Sequence, residues 1–497
     1  MSQRTEASPE TTILGHPSGL FVLFFAELWE RFCYYGMRAL LALYTVAQFN
    51  KPQEEASIGY GAFTALIYAL GIFGGYIADR VLGYRRAIIT GGIFMALGEF
   101  MLMVPNEKMF LLGLATLMVG NGMFKPNISS LVGKLYKQGD PRRDGAFTIF
   151  YMGINIGALL SPVACQWISA TMGSEGEPDY RYGFMLAGVG MLLGVFVFGL
   201  GGKHLQGKGL APQGKEGVGP IALVVLGSCI VAPLMYLLLG KADLAGNILY
   251  ALGGAIVLYL LSVAFKSDRQ GRDRMFALLI LLMCNIVFWM SFEQAGNSLN
   301  FFAKDHVDPL SFADWSMPFE WFQSVNAAFI VLLGPVFATL WVWLDRANAN
   351  PSIPFKFGMG LVGVGLGFML LIAGMSGADE SGKVGWYVLT GLYLVHTCAE
   401  LCISPVGLSM VTKLAPDRMV GMVMGAWFVS IAIGNFLAGE VSSQAGAALA
   451  AVADAAPAEK LGAYESAFWP VIYTACGVGA ALVIASKLVN KLMHGIK

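Results

Sequence analysis

The sequence is poor in charged residues. Only 13% of its 497 residues are Asp, Glu, Lys or Arg, and 32 acidic residues balance 32 basic ones. A soluble protein carries about 25% charged residues, and a chain that binds nucleic acid usually has an excess of basic ones. The composition therefore excludes an ordinary soluble domain and gives no indication of a nucleic-acid partner.

The sequence also lacks the residue spacings of a metal site or a secretion signal. Most of its seven cysteines lie inside apolar runs, where they resemble small core residues rather than a disulfide framework. His396 and Glu400 would supply half of a metal site, but no second set completes it. We expect no metal, no cofactor and no enzymatic activity. The polar first twelve residues lack a signal-peptide core, so the first helix should stay in the protein.

Apolar residues are abundant. They make up 56% of the chain, and the mean hydropathy is +0.64, which indicates an all-α integral membrane protein with spans of about 20 residues or more. The predicted spans, about fourteen in number, are 20–49, 58–80, 85–104, 109–135, 145–170, 182–200, 219–239, 246–265, 275–303, 318–344, 355–375, 385–413, 419–446 and 465–489.

Charge distribution and internal repetition predict the topology. With a cytoplasmic N-terminus, most Lys and Arg fall in cytoplasmic segments, so both termini are predicted to be cytoplasmic. Asp79-Arg80 recurs as Asp345-Arg346 after 266 positions, and Glu27 and Glu293 are separated by the same offset. This repeat predicts two six-helix bundles, 1–202 and 269–497, joined by a linker, 203–268, that contains two additional helices. In transporters built this way, substrate binds near the midplane between the halves.

The first span, Phe21–Asn50, carries charges in the middle of an apolar run. Glu27, Glu30, Arg31 and Arg38 fall on one face of a helix, together with Tyr34 and beside Tyr35. Each charge at mid-membrane costs roughly 2.5–3.5 kcal/mol. These side chains therefore need partners on other helices, around a water-filled cavity.

Polar residues on later spans could supply those partners. Lys125, in the fourth span, is predicted to pair with carboxylates of the first span, and Glu293 is predicted to pair with Arg38. Asn155 is equally consistent with a ligand amide and with a hydrogen bond between helices.

Acids outnumber bases among these interior residues. At least one carboxylate therefore lacks a full partner and could bind a proton or a substrate ammonium. Glu99, in the third span, is a further acid to which the pattern assigns no role. The acids in the count are Glu27, Glu30, Glu293 and Glu400, and the bases are Arg31, Arg38 and Lys125.

The segment GGYIADRVLGYRR, residues 74–86, joins the second and third spans and resembles the loop motif of the major facilitator superfamily. Asp79 is predicted to form a cytoplasmic charge cluster with the arginines that follow it, and such a cluster could hold a gate shut. The residues of the motif are Gly75, Asp79, Arg80, Gly83, Arg85 and Arg86.

Taken together, the motifs resemble the proton-dependent oligopeptide transporter family, a branch of the major facilitator superfamily. The resemblance covers essentially the whole chain, including the extra hairpin that is typical of bacterial members. It is carried by the ExxERF run at Glu27–Phe32, Tyr34-Tyr35-Gly36, Lys125, FYMGINIG at 150–157, Glu293 in FWMSFEQAG, and Glu400 before Ser404-Pro405.

The resemblance implies import of di- and tripeptides with protons by alternating access. The proton would be the coupling ion, and the protein would act as a monomer in a bacterial inner membrane. The residues implied in proton coupling and gating are Glu27, Glu30, Arg31, Lys125, Arg38 and Glu293. Those implied in peptide binding are Arg31, Tyr35, Arg38, Tyr68, Lys125, Asn155, Trp289, Asn326, Glu400 and Trp427.

One departure and two alternatives remain. Animal members of the family use a histidine on the second span, and GYGAFTALIYALGIFGG contains none, so coupling here would run through carboxylates. Plant relatives carry nitrate or other small solutes, but an acid such as Glu400 has no use for an anion. A channel is the other alternative, and the internal repeat and paired charges argue against it.

Overall fold

The computed structural model describes residues 12–137, 140, 142–174, 176–416 and 419–496. These residues form fifteen α-helices. The helices are α1 Ser18–Phe49, α2 Gln53–Ile77, α3 Tyr84–Leu102, α4 Glu107–Lys134, α5 Arg142–Thr171, α6 Tyr180–Leu200, α7 Gly219–Leu239, α8 Ala242–Lys266, α9 Arg269–Phe292, α10 Ser298–His306, α11 Phe322–Arg346, α12 Ile353–Met375, α13 Trp386–Leu414, α14 Val420–Ala451 and α15 Pro457–Leu492.

Short elements lie between these helices. A π-helical turn covers Ala78–Leu82, and 3-10 turns cover Gly201–Leu205, Glu293–Gly296 and Phe319–Trp321. Six two-residue strands pair as β1 Thr12–Ile13 with β2 His16–Pro17, β3 Val307–Asp308 with β6 Val384–Gly385, and β4 Ser311–Phe312 with β5 Trp315–Ser316. The β3–β6 pair is parallel, and the other two are antiparallel.

The helices coincide with the predicted spans, with one exception in the described chain. Among the described residues, twelve segments are long and apolar enough to cross a membrane, and α1 and α3 are not among them. The exception is the predicted span 275–303, which is broken. Helix α9 ends at Phe292, a 3-10 turn covers Glu293–Gly296, and α10 starts at Ser298. Gly296 and Asn297 are weak helix formers, and Gly296 also lies against the Tyr60 hydroxyl, where a Cβ atom would overlap it.

The chain forms two compact units. The first runs to Met37 and resumes from Leu70 to Tyr236; the second contains Arg38–Ala69 and everything from Leu237 onward. Helices α1, α2 and α7 each contribute to both units. The domain boundaries predicted from the sequence stay predictions.

The inserted hairpin is divided between the units. In the first unit, Val224 and Ala232 of α7 pack in a small apolar cluster with Ala78 and Leu82. In the second unit, Gly246 of α8 lies against the ring of Phe436 on α14.

Glycines allow close helix contacts in each unit. In the first unit, a Cβ atom on Gly91 of α3 would lie 2.6 Å from the carbonyl oxygen of Gly120 on α4. In the second unit, a Cβ atom on Gly358 of α12 would lie 2.9 Å from the carbonyl oxygen of Gly479 on α15. Small residues let transmembrane helices approach until their backbones touch. The first of these contacts positions α4, which carries Lys125.

Candidate functional site

In the first unit, Lys125 of α4 contacts Glu27 of α1. The ammonium group forms an ion pair with Glu27 Oε1, and the same oxygen lies 3.5 Å from Arg31 Nε. Glu27 is fully buried, whereas the Lys125 side chain is 32% exposed. The predicted pairing of Lys125 with a first-span carboxylate is therefore confirmed. Its role in proton coupling remains a prediction.

Glu30 and Arg31 form a second pair on the same helix. The guanidinium group donates from both Nε and Nη2 to the two Glu30 carboxylate oxygens. Asn121 of α4 also donates to Glu30 Oε1, at 2.8 Å. Bidentate pairs of this kind are the strongest ion pairs in proteins. All three side chains are buried.

Tyrosines lie beside Arg31. Its guanidinium carbon is 5.1 Å from the ring centroid of Tyr34 and 5.9 Å from that of Tyr35. Tyr34 is buried and Tyr35 is half-buried. The rings provide cation–π contacts to the Arg31 guanidinium group.

The second unit holds the predicted pair of Arg38 and Glu293. Arg38 Nη2 donates to Glu293 Oε2, and Arg38 Nε donates to the hydroxyl of Tyr60 at 2.5 Å. Glu293 begins the 3-10 turn that interrupts the predicted span. The broken helix therefore places this carboxylate opposite Arg38. Discontinuous helices often form ion sites in transporters.

Helices α2 and α14 are in contact at Gly61, the residue that follows Tyr60. A Cβ atom on Gly61 would lie 2.6 Å from the Cα atom of Gly439. Ser442 donates to the Ser57 hydroxyl at 3.0 Å, and Asn297 donates to the Ser57 carbonyl oxygen at 3.0 Å. These contacts hold the N-terminal part of α2 in the second unit.

Glu400 has only neutral hydrogen-bond partners among the described residues. Asn326 of α11 donates to Glu400 Oε2 and to the Thr397 hydroxyl, both at 3.0 Å. Glu400 is 9% exposed, and no Lys or Arg of the described chain forms an ion pair with it. This agrees with the expectation that at least one of the four interior carboxylates lacks a full cationic partner.

The aromatic residues predicted to line side-chain pockets differ in exposure. Trp289 is half-buried and donates to Asn285 Oδ1 at 3.1 Å, and Tyr68 is also half-buried. Trp427 is only 3% exposed, with its ring against Phe357. In this structure Trp427 packs in the core, and its contact with peptide stays a prediction.

Asn155 satisfies its amide within its own helix. Its Nδ2 donates to the carbonyl oxygen of Tyr151 at 2.9 Å, and the side chain is 4% exposed. This bond is neither of the two that the sequence left open. Glu99 is fully buried too, and the Cys33 thiol donates to its Oε1 at 3.3 Å.

The loop motif does not form the predicted charge cluster. Asp79 accepts from the Tyr84 hydroxyl rather than from an arginine. Arg85 donates to the carbonyl oxygen of Lys208 at 2.6 Å, and Arg86 donates to carbonyl oxygens of residues 215–217. The prediction was wrong because the linker after α6 crosses the loop. Its backbone carbonyl groups accept the hydrogen bonds of Arg85 and Arg86 in place of Asp79. Lys215 also donates to the carbonyl oxygen of Arg80, at 2.7 Å.

Gly83 permits this crossing. Its φ is +77°, and a Cβ atom there would overlap the backbone of Leu210. Gly83→Ala should destabilise the loop by roughly 1–3 kcal/mol and release the linker, so that trypsin cuts faster after Lys208 and Lys215. Gly75→Ala in the same motif is the matched control, since a Cβ atom there meets nothing within 4 Å. Equal cleavage of the two variants would show that the linker does not depend on Gly83.

Sequence reasoning missed three polar residues of these sites. Asn121 lies one turn before Lys125 on α4, and Thr397 lies three residues before Glu400 on α13. Helical spacing from a known site residue would have found both. Tyr60 had no such signal, because a tyrosine in an apolar span is usually read as a packing or interfacial residue. Among the described residues, no group of three or more His, Cys, Asp or Glu side chains could hold a metal ion.

Comparison with known proteins agrees with these features. A sequence model of the POT family matches residues 85–455. The chain is 36% identical over 476 residues to the peptide transporter YePEPT of Yersinia enterocolitica, covering 88% of this chain and 90% of the relative. It is also 36% identical over 438 residues to dipeptide and tripeptide permease B of Salmonella typhimurium, covering 87% and 88%.

Solved structures agree as well. A peptide transporter POT crystallised with sulfate matches with a TM-score of 0.83 and 33% identity, covering 98% of each chain. A POT family transporter crystallised with 5-aminolevulinic acid matches with a TM-score of 0.81 and 28% identity, covering 97% of this chain and 99% of that one. The family match covers well over half of the chain, and both relatives are 36% identical to it over most of its length; this chain belongs to the POT family of membrane transporters.

Proposed function

We propose that the protein imports di- and tripeptides together with protons by alternating access. The observation that carries this proposal is Glu400, a buried carboxylate held by an amide and without a cation in the described chain. A buried charge without a counter-ion is costly, and the ammonium group of a peptide would provide one. The names of the relatives, a peptide transporter and a dipeptide and tripeptide permease, support the same substrate class.

The first unit supplies the proposed proton coupling. Glu27 and Glu30 balance Arg31 and Lys125, so the cluster has no net charge when all four are ionised. A peptide carboxylate that binds Arg31 or Lys125 adds a negative charge to this balance. One glutamate must then take up a proton, because an excess charge in a water-poor region is strongly unfavourable. Peptide binding and proton binding are thereby linked.

The Arg38–Glu293 pair supplies the proposed gate. Both side chains are mostly buried, so separating them requires each to find water, substrate or a proton. A peptide carboxylate can replace Glu293 as the counter-ion of Arg38. The pair would then break and re-form once in each transport cycle.

The remaining assignments complete the proposal. The protein would lie in a bacterial inner membrane with both termini in the cytoplasm, because that orientation leaves most Lys and Arg inside. The proton is the coupling ion, no other cofactor is required, and the monomer is the functional form. Tyr35, Tyr68, Trp289 and Trp427 would contact peptide side chains, and Asn155 and Asn326 would contact the peptide backbone.

Glu400→Gln tests the substrate assignment. In proteoliposomes, the wild-type protein should take up dialanine and discriminate against N-acetyl-dialanine, which has no ammonium group. The variant should lose about tenfold or more in affinity for dialanine and lose that discrimination, because a charge-assisted hydrogen bond becomes a neutral one. Glu440→Gln, in the next helix, is the control. Equal uptake of both peptides by the wild-type protein would overturn the role of Glu400.

A further inference from the structure

An open cleft lies at one end of α11, α12 and α15 in the second unit. Its space is about 650 Å³, counting the part open to solvent. The lining consists of Asp345, Asn348, Asn350, Pro351, Ser352, Ile353, Lys356 and Asn490. This lining mixes polar and apolar surface, contains two opposite charges and includes the first turn of α12. None of these residues belongs to the transport site described above.

Lys356 is the buried charge of the cleft. It is only 6% exposed, yet it lines the opening. Its ammonium nitrogen lies 4.1 Å from the ring centroid of Trp341. Within the described part of the chain, the ammonium forms neither a hydrogen bond nor an ion pair. A buried ammonium held only by a ring face retains its hydrogen-bond donors for an anion.

The backbone around Lys356 also favours an anion. Ser352 precedes α12 and makes no side-chain capping bond to its first turn. The first amide groups of a helix attract negative charge, and in this turn Ile353 and Phe355 have an N–H group whereas Pro354 has none. The amides of Asn348 and Asn490 add neutral donors to the same cleft.

Asp345 supplies the opposite charge. Its carboxylate is exposed and accepts from Asn350 at 3.3 Å. It forms no ion pair with Lys356 in the described structure, although both line the cleft. A simple anion would be attracted by Lys356 and repelled by Asp345. A ligand with a phosphate and a nearby amine satisfies both groups.

The internal repeat shows what fills the matching position in the first unit. In the first unit Asp79 accepts a hydrogen bond from Tyr84, and in the second unit Asp345 accepts one from Asn350. Each residue of the second pair lies 266 positions after its counterpart in the first. Arg86 corresponds to Ser352 and is covered by carbonyl groups of the linker. In the second unit this position is the open cleft. The linker therefore covers the repeat position in the first unit, and the corresponding position in the second unit lines an open cleft.

We propose that this cleft binds an ethanolamine-phosphate head group, with the phosphate at Lys356 and the first turn of α12, and the amine at Asp345. A membrane lipid and soluble phosphoethanolamine both carry this group. The cleft adjoins the ends of three membrane helices, so either source can reach it. Head-group binding does not require transport, so this proposal can be tested independently of the proposed peptide uptake.

Native mass spectrometry of the full-length protein in detergent tests the site. The probes are phosphatidylethanolamine, phosphatidylcholine and phosphatidylglycerol with the same acyl chains, with soluble phosphoethanolamine or inorganic phosphate as competitors. The variants are Lys356→Gln and Asp345→Asn. Lys266→Gln is the control, because it removes an exposed cation from the end of another membrane helix.

The wild-type protein should bind the ethanolamine lipid about tenfold more tightly than the choline lipid, whose amine cannot donate a hydrogen bond. Asp345→Asn should remove this preference. Lys356→Gln should weaken the binding of both lipids by about tenfold. Competition by soluble phosphoethanolamine would identify the free head group as sufficient; lipid binding that it does not displace would identify the lipid as the source.

Identical lipid binding by the wild-type protein, Asp345→Asn and Lys356→Gln would overturn the proposal. So would competition by inorganic phosphate as strong as that by phosphoethanolamine, because the amine would then contribute nothing. Asp345 is exposed, so its variant tests the site even if Lys356→Gln fails to fold.

Discussion

Glu30→Gln should abolish proton-driven accumulation of dialanine while leaving exchange intact. One pH unit is worth about 1.4 kcal/mol per proton, which supports about tenfold accumulation for one proton per peptide. Glutamine keeps the shape and a hydrogen bond to its neighbours but carries no titratable group. We expect the variant to equilibrate dialanine across the membrane without accumulating it, as measured by uptake with and without an inward proton gradient.

Counterflow provides the internal control for Glu30→Gln. Vesicles loaded with unlabelled dialanine should still take up labelled dialanine through the variant, which shows that the protein is folded and binds peptide. Glu54→Gln is the matched control, since Glu54 is exposed at the start of α2. This variant should accumulate dialanine as the wild-type protein does. Full accumulation by Glu30→Gln would remove this residue from the coupling mechanism.

Arg38→Ala should strongly destabilise the protein and stop transport. The substitution leaves Glu293 buried at 3% exposure without its cation, and an unpaired buried charge of this kind costs roughly 3–5 kcal/mol. A large fall in the thermal unfolding temperature of the purified protein should accompany the loss of uptake. The double variant Arg38→Ala with Glu293→Gln should regain much of the lost stability but not transport, because no charge is then left unpaired and none can be exchanged.

A surface pair provides the comparison for Arg38. Arg272 Nη2 lies 3.5 Å from Asp273 Oδ1, and the Arg272 side chain is 46% exposed. Exposed ion pairs of this kind contribute about 0–1 kcal/mol to stability. Arg272→Ala should therefore change stability little. If Arg38→Ala were as stable as Arg272→Ala, the Arg38–Glu293 contact would not be the buried, structural pair described here.

The charged contacts could be predicted from the sequence because membrane burial leaves few alternatives. A Lys or Arg inside an apolar span needs an acid, and the spans contain few of either. The pairing of Lys125 with a first-span carboxylate and that of Arg38 with Glu293 could therefore be predicted, although the choice of Glu27 over Glu30 could not. The helix spans were predicted for the same reason, since apolar length determines what can cross the membrane.

Other contacts could not be predicted because their partners are common or invisible in sequence. Tyr60 and Asn121 are neutral, so nothing forces them to pair. Arg86 binds backbone carbonyl groups of the linker, which any residue provides. The break after Phe292 depends on the tertiary environment of Gly296, whose Cβ would overlap the Tyr60 hydroxyl, and helix propensity alone does not reveal that contact.

Peptide-driven proton movement tests the central claim most directly. Vesicles that contain the wild-type protein and a trapped pH indicator would receive dialanine outside, with no initial pH gradient and the membrane potential clamped. The account predicts that the lumen acidifies on addition of dialanine, that N-acetyl-dialanine has little effect, and that Glu30→Gln gives no acidification. Peptide entry without acidification in the wild-type protein would contradict the account, because the peptide would then cross the membrane without a proton.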